Sequence, residues 1–361
     1  MLCVAQDGEL VCRHAQCDLH TTTNILGTSL ASKCTQPFGH SDGPKCCTSD
    51  ITLAEFRTLR GKMDASVSGA ATAEEYMGGT ADWRTDLYSK GKHGKLVTHA
   101  ESVALIKKWG RKATPELKTY TQGPGMLTYD AVRAKLVKEF KDASFPAEHV
   151  WLQSFNLPDV EYWIKNAPEF GKQAVYLDNA YCDGTRSGCT DAESPLVVGV
   201  PQLKDKGINY IAPPMQMLVK KSGSGYAASE YATAAKAAGV KIITWTLERS
   251  GPLGGGGGWY YGTINDNVDN DGDMLELLHV LHTDVGIEGI FTDWPATVTF
   301  YANCLGINDP PATTSLPHDK VAAVESTGET PETSVDSPKN GQTAETIGML
   351  IFSFRCVNCS E

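Results

Sequence analysis

The 361-residue chain has no surplus of positive charge, no long apolar run and no basic-then-apolar leader behind Met1. The first absence counts against a phosphate-backbone partner. Lys and Arg total 32 against 43 Asp and Glu, a formal net charge of −11 with a pI near 5.3, so no nucleic acid is expected to bind. The second excludes a spanning helix, which takes roughly 18 to 20 consecutive apolar residues; the longest tail candidate, Ile347 to Phe354, falls far short. The third leaves nothing in the chain itself to direct export. The expectation is a soluble protein with no transmembrane segment. Hydrophobic residues make up 41% of the chain, enough for one large core, and a single barrel of about 250 residues with appendages fits the length.

Cysteine is plentiful, with 11 in the chain. Cys3, Cys12, Cys17, Cys34, Cys46 and Cys47 crowd the first fifty residues, and Cys182 and Cys189 bracket a glycine-containing loop. Loop cysteines of this kind point to disulfides and an oxidising compartment. Cys34, Cys46 and Cys47 match no tetrahedral zinc spacing. The Cys356-Val357-Asn358-Cys359 pair sits in a tail without the strand-helix context that gives Cys-x-x-Cys its meaning. An odd total leaves one thiol free or intermolecular.

Asp7-Gly8 between two short apolar segments predicts a hairpin of Leu2-Cys3-Val4 with Glu9 to Arg13, and His14 emerges at its end. Residues 20 to 95 have little periodicity and read as a long elaborated loop, apart from a helix expected from Thr52 to Arg60 with Ser49 or Asp50 near its cap. Thr98 and Glu101 form a capping box for a helix to about Trp109. Beyond it helix and strand alternate. Helices are expected over 128–142, 158–166, 196–206, 227–238 and 273–282. Strands are expected at 149–155, 173–178, 208–212, 241–247 and 287–293. With the strand ending at Lys118 this makes six parallel strands with both faces covered, an α/β architecture. An eight-stranded barrel needs two more, and the chain has room ahead of them only for a remnant. After Asn308 the composition turns to Pro, Thr, Ser and Glu; residues 309–361 are expected to be a disordered, dispensable tail on a 1–308 barrel domain.

The stretch Lys112 to Lys118 is the most informative. Strand alternation puts Thr114, Glu116 and Lys118 on one face, and a carboxylate beside an ammonium at the C-terminal end of a barrel strand suits a divalent metal and a phosphate. For one such pair taken alone, a surface ion pair is the competing reading. Two other stretches invite functional readings. Asp266 to Asp273 resembles a calcium loop, but its twelfth position is Leu278 or Val280 rather than Glu, so a helix-capping acidic turn is expected. Gly254 to Gly258 lacks a following Gly-Lys-Ser/Thr and reads as a flexible active-site loop, with Trp259, Tyr260 and Tyr261 either lining a substrate mouth or, the favoured reading, anchoring the loop on the barrel rim.

Five segments in order carry a family resemblance: Asp-Gly-Glu-Leu-Val-Cys-Arg-His at 7–14, Pro-Glu-Leu-Lys at 115–118, Leu-Gln-Ser-Phe at 152–155, Thr-Trp-Thr-Leu at 244–247 and Gly-Ile-Phe-Thr-Asp-Trp-Pro at 289–295. Together they resemble the glycerophosphodiester phosphodiesterases, barrel enzymes of the phosphatidylinositol-phospholipase-C-like superfamily, over roughly residues 2 to 308. The resemblance implies a TIM (β/α)8-type barrel hydrolysing small-molecule glycerophosphodiesters to an alcohol and glycerol 3-phosphate with calcium or magnesium, and it is nearest to the secreted or periplasmic branch. It implies that His14 is a catalytic acid/base, that Glu116 is a metal-binding carboxylate, and that Lys118 lies near the phosphate. Trp245 packs against the glycerol moiety in this reading. Gln153 reads as an amide at the mouth, able to meet substrate, water or loop backbone, and Asp293 as structural support.

The departures from the family are equally definite. The family opens with a strand ending in His-Arg-Gly and a second strand carrying Glu-x-Asp, and neither is present. Aligning the hairpin places Met1 on the aspartate of the second motif. The resemblance therefore implies a barrel lacking its first strand and most of the second, with an incomplete metal site, impaired activity, poor folding and an open edge beside the Asp293 strand. The alternative is a non-catalytic phosphodiester-binding barrel. If the chain is active as it stands, its carboxylates are to be sought first at Asp178 and Asp293.

Overall fold

The computed structural model describes residues 1–79, 94–120, 122, 126–179, 189–307 and, as backbone, 350–353. A six-stranded parallel sheet is its centre, in the order β10-β9-β8-β5-β4-β3. The strands are β3 (Gln153–Ser154), β4 (Val175–Leu177), β5 (Tyr210–Ala212), β8 (Lys241–Thr244), β9 (Gly289–Thr292) and β10 (Leu350–Ser353). Beyond β3 the parallel order continues through residues 113–117, bridged at Ala113 to Val150 and at Glu116 to Gln153. Leu2, in β1 (Leu2–Val4), then bridges in parallel to Leu117. The six expected strands and the remnant ahead of them are thus all in register as barrel staves.

Alternation along the staves separates two layers. Trp151, Val175, Leu177, Tyr210, Ala212, Ile243 and Phe291 pack on one another, with Phe155 and Trp245 against them, and fill the barrel. Their neighbours in sequence, such as Leu152, Ile211, Ile242 and Ile290, face the surrounding helices. Those helices are His99–Lys108, Tyr129–Asp142, Leu157–Asn166, Pro195–Asp205, Glu230–Ala237, Asp273–Val280 and Pro295–Cys304. Thr98, Thr128, Ser194 and Ser229 cap four of them by accepting a first-turn N–H. Where the helix Leu157–Asn166 meets the turn at Pro168–Gly171, a Cβ on Gly171 would lie 2.5 Å from Ile164 Cα and Trp163 O, so only glycine fits.

Several expectations are corrected. The helix expected from Ala227 begins at Glu230; Ala227 and Ala228 belong to β7 (Gly225–Ala228), paired antiparallel with β6 (Val219–Ser222), and Ser229 caps the helix instead. The helix expected over 52–60 is a single turn, Leu53–Phe56, capped by Thr52 rather than Ser49 or Asp50. The disordered-tail expectation concerns residues outside those described, except for Leu350–Ser353. That backbone runs parallel to β9 and covers the edge that sequence reasoning left open. It lies in the one apolar, β-prone run of a polar tail.

The early loop folds on a core of its own. β1 and β2 (Leu10–Cys12) form the expected hairpin, with Gly8 at φ 80° in its turn. Cys3, Ala5 and Val11 turn away from the barrel onto Leu19, Ile25, Leu26, Cys46, Ile51, Phe56, Leu59 and Leu96. Disulfides Cys17–Cys47 and Cys34–Cys46 staple this layer. Cys189 is disulfide-bonded as well, while Cys182 lies outside the described residues; Cys3 is a buried thiol. The Cys17–Cys47 bridge spans 30 residues, and closing a loop of that length in the unfolded chain stabilises the fold by about 3–4 kcal/mol in the chain-entropy picture. Reduction by dithiothreitol is expected to lower the urea midpoint accordingly, with unchanged behaviour on reduction as the opposing result.

Candidate functional site

The C-terminal ends of the staves carry the side chains singled out in the sequence. Glu116 and Lys118 project to the same side, as alternation requires. Glu116 is 2% exposed, and its Oε1 lies 2.6 Å from Lys118 Nζ. Lys118 also holds its ammonium 5.5 Å above the Phe155 ring. Gln153, on the adjacent stave, is buried and donates from Nε2 to Thr114 O at 3.2 Å, while its buried Oε1 has no hydrogen-bond partner among the described residues. Its amide therefore meets backbone, one of the partners expected for it.

His14 follows β2 and is held by its main chain. The N–H groups of His14 and Ala15 both donate to Asp18 Oδ2, at 3.1 and 3.0 Å. The residue as a whole retains exposed surface. Burial among the surrounding atoms, then the positive charges of Lys118 and Arg249, push the imidazole down to about 4; Asp64 opposes them. At neutral pH it is an uncharged base flanked by two cations.

Arg249 had no place in the sequence reading. It follows the β8 stave and pairs with Asp293 through Nε at 2.9 Å and Nη2 at 3.3 Å. The Asp293 N–H donates to Glu248 Oε2 at 3.0 Å. Asp293 thus orients a guanidinium. The available signal was a charged pair, Glu248-Arg249, directly after the apolar strand 241–247.

Trp245 donates from Nε1 to Ala212 O at 2.8 Å, which fixes its ring at the top of the barrel. Phe155 meets it edge-on at 5.8 Å, Trp259 stacks on it at 5.6 Å, and Tyr260 lies edge-on at 6.0 Å. The rim-anchoring expectation holds for Tyr261, which is fully buried and donates to Leu247 O. Trp259 is 38% exposed. The acidic turn does not cap the helix that follows, whose N-cap is Gly272 with no side-chain cap hydrogen bond; it closes on itself instead, as Asp273 Oδ2 accepts from the N–H groups of Asp269 and Asn270, and Asp271 Oδ1 accepts from Leu253 N–H at the start of the glycine loop.

The residues present do not fit the divalent cation that the resemblance implied. The Glu116 carboxylate already faces an ammonium, Asp178 accepts from the Tyr231 hydroxyl, and Asp293 is held by Arg249. Among the described residues no group of three or more His, Cys, Asp or Glu comes together that would hold a metal ion.

The fold is similar to that of a protein of Silicibacter pomeroyi named as a glycerophosphoryl diester phosphodiesterase, with a TM-score of 0.50 and 15% identity over 84% of this chain and 82% of that one. A protein of Agrobacterium tumefaciens with the same name aligns with a TM-score of 0.48 and 14% identity, over 84% and 85% of the two chains. No protein-family model matches the chain. In sequence it is 38% identical to an extracellular protein of Arthroderma benhamiae over 253 residues, 68% of this chain and 100% of the relative. The chain belongs to the family of that extracellular protein.

Proposed function

We propose that the barrel mouth binds a glycerophosphodiester and hydrolyses it to an alcohol and glycerol phosphate. The observation that carries this reading is the neutral imidazole of His14 set among the cations of Lys118 and Arg249 at the C-terminal end of a parallel barrel. Lys118 and Arg249 neutralise the phosphoryl oxygens. His14 takes a proton from the attacking water as the new O–P bond forms, and returns it to the alkoxide as the old P–O bond breaks. Phe155 and Trp245 wall the site and exclude water. The fold shared with the phosphodiesterases supports the reaction class.

A second reading, a phosphodiester-binding barrel without turnover, is favoured by the Glu116–Lys118 contact. Hydrolysis of glycerophosphocholine by the purified chain, with calcium, with magnesium and with EDTA, separates the two, alongside calorimetric binding of glycerol 3-phosphate. Release of glycerol phosphate supports the enzyme; binding without release supports the binder; neither result rejects both. A metal-stimulated rate would place calcium or magnesium in the site despite its donor set. The disulfides and the extracellular relative support secretion to an oxidising compartment.

A further inference from the structure

A general base is ordinarily oriented by a third group bonded to its ring. Among the described residues no hydrogen bond holds the His14 imidazole. What holds His14 is its main chain, since its N–H and that of Ala15 both end on one oxygen, Asp18 Oδ2. His14 is exposed, and with a free main chain its ring would sample many positions. Asp18 is 7% exposed, and its Oδ1 is buried with no hydrogen-bond partner among the described residues. It stands at the N-cap of the helical turn Leu19–Thr22, where an aspartate ordinarily accepts from N–H groups of the first turn. This one makes no such bond and takes the N–H groups of residues 14 and 15 instead. Helix capping therefore does not account for the buried carboxylate.

We propose that Asp18 is the positioning residue of His14: by accepting from both N–H groups it fixes the main chain that presents the imidazole to the phosphoryl centre. The inference rests on the phosphodiester reading of the mouth. Asp18 can serve as a fixed point because the chain around it is held from several sides. Cys17 is bridged to Cys47, Thr48 N–H donates to Gln16 O at 2.8 Å, and Leu19 N–H donates to Cys46 O at 3.2 Å. The Gln16 amide accepts from Val4 N–H at 3.2 Å and donates to Val4 O at 3.0 Å, which ties the segment to β1. Thr22 Oγ1 donates to Asp18 O at 2.9 Å and accepts from Arg13 Nη1 at 2.9 Å. One carboxylate thus connects His14 to a segment that a disulfide and a strand hold in place. Hydrogen bonds onto a charged acceptor are about twice as strong as neutral ones, and a displacement of about 1 Å at a catalytic group costs about a hundredfold in rate.

The test compares the native chain with Asp18→Asn and Asp18→Ala by kcat and KM for glycerophosphocholine, by NMR titration of the His14 imidazole, assigned through His14→Ala, and by amide hydrogen exchange. Asp18→Ala is expected to lower kcat about a hundredfold while KM stays within about threefold. With the ring no longer held beside Lys118 and Arg249, its titration moves upward from about 4 toward 6.5. Asp18→Asn keeps an accepting oxygen and is expected to retain most of kcat and the native titration. Both variants remove the same charge from a site where Lys118, Arg249, Asp64 and the Met1 ammonium act on His14, so an effect seen in Asp18→Ala alone reads the hydrogen bonds. Native kcat and titration in Asp18→Ala overturn the inference, as do equal losses in both variants. Should Asp18→Ala fail to fold, the native chain and Asp18→Asn decide: protected His14 and Ala15 amides in both support the hold, and amides that exchange freely overturn it. If glycerophosphocholine is not cleaved and glycerol 3-phosphate does not bind, the phosphodiester reading fails, while the titration and the exchange still support or overturn the hold of Asp18 on His14.

Discussion

Replacing His14 by alanine is expected to lower kcat/KM for a glycerophosphodiester by about two to four orders of magnitude, the usual contribution of a positioned acid/base, while glycerol 3-phosphate binding changes little. The phosphate anchors Lys118 and Arg249 remain in that variant. Only the proton carrier is lost. The pH profile sharpens the test. Because burial, Lys118 and Arg249 hold the imidazole down at about 4, the acid limb of kcat/KM lies near pH 4 and the rate is level through neutrality. Stability follows the same group with a definite sign. Between its ordinary value of 6.5 and about 4, the unfolded chain binds a proton that the folded chain refuses, so stability is complete above the window and falls as pH falls through it. An acid limb near 6.5 in the native protein, or a His14→Ala variant of native activity, would remove the histidine from the mechanism.

Lys118→Met carries the second large effect. Loss of one charged donor to a phosphoryl oxygen is expected to reduce turnover by about 10²–10³-fold. It also strips a carboxylate that is 2% exposed of the ammonium 2.6 Å away, and breaking a buried pair by removing one partner costs about 3–5 kcal/mol. The double variant Lys118→Met, Glu116→Gln is expected to regain most of that stability and none of the activity. With the cation gone, the acid limb assigned to His14 moves upward, because one of the charges repelling its proton has left. Urea denaturation and pH–rate profiles of the single and double variants read both effects. A single variant as stable as the native chain would mean that Glu116 is satisfied some other way.

Much of this architecture was legible because barrel staves and their helices are written in local periodicity. Glu116 and Lys118 share a face by alternation alone, and the Asp7-Gly8 turn announced the hairpin that delivers His14. Arg249 was not legible, since its role depends on a carboxylate 44 residues away at Asp293, and no local pattern encodes that pairing. The hairpin of β6 and β7 was hidden by alanines that suit a helix as well as a short strand. Disulfide connectivity cannot be read from spacing, because the six early cysteines allow many pairings. Mouth lining and rim anchoring both stayed open for Trp259, Tyr260 and Tyr261, because a chain of adjacent aromatics does not reveal which ring faces solvent.

His14 and its holder Asp18 stand on the stapled layer, whereas Glu116, Lys118 and Trp245 stand on barrel staves, and the two layers bury different sets of side chains. The proposed centre therefore draws its residues from both layers rather than from one. Warming or reduction that loosens the smaller unit would carry the proton carrier away from a phosphate anchor that stays in place. Catalytic failure would then precede melting, leaving a protein that still recognises its ligand after it has stopped transforming it.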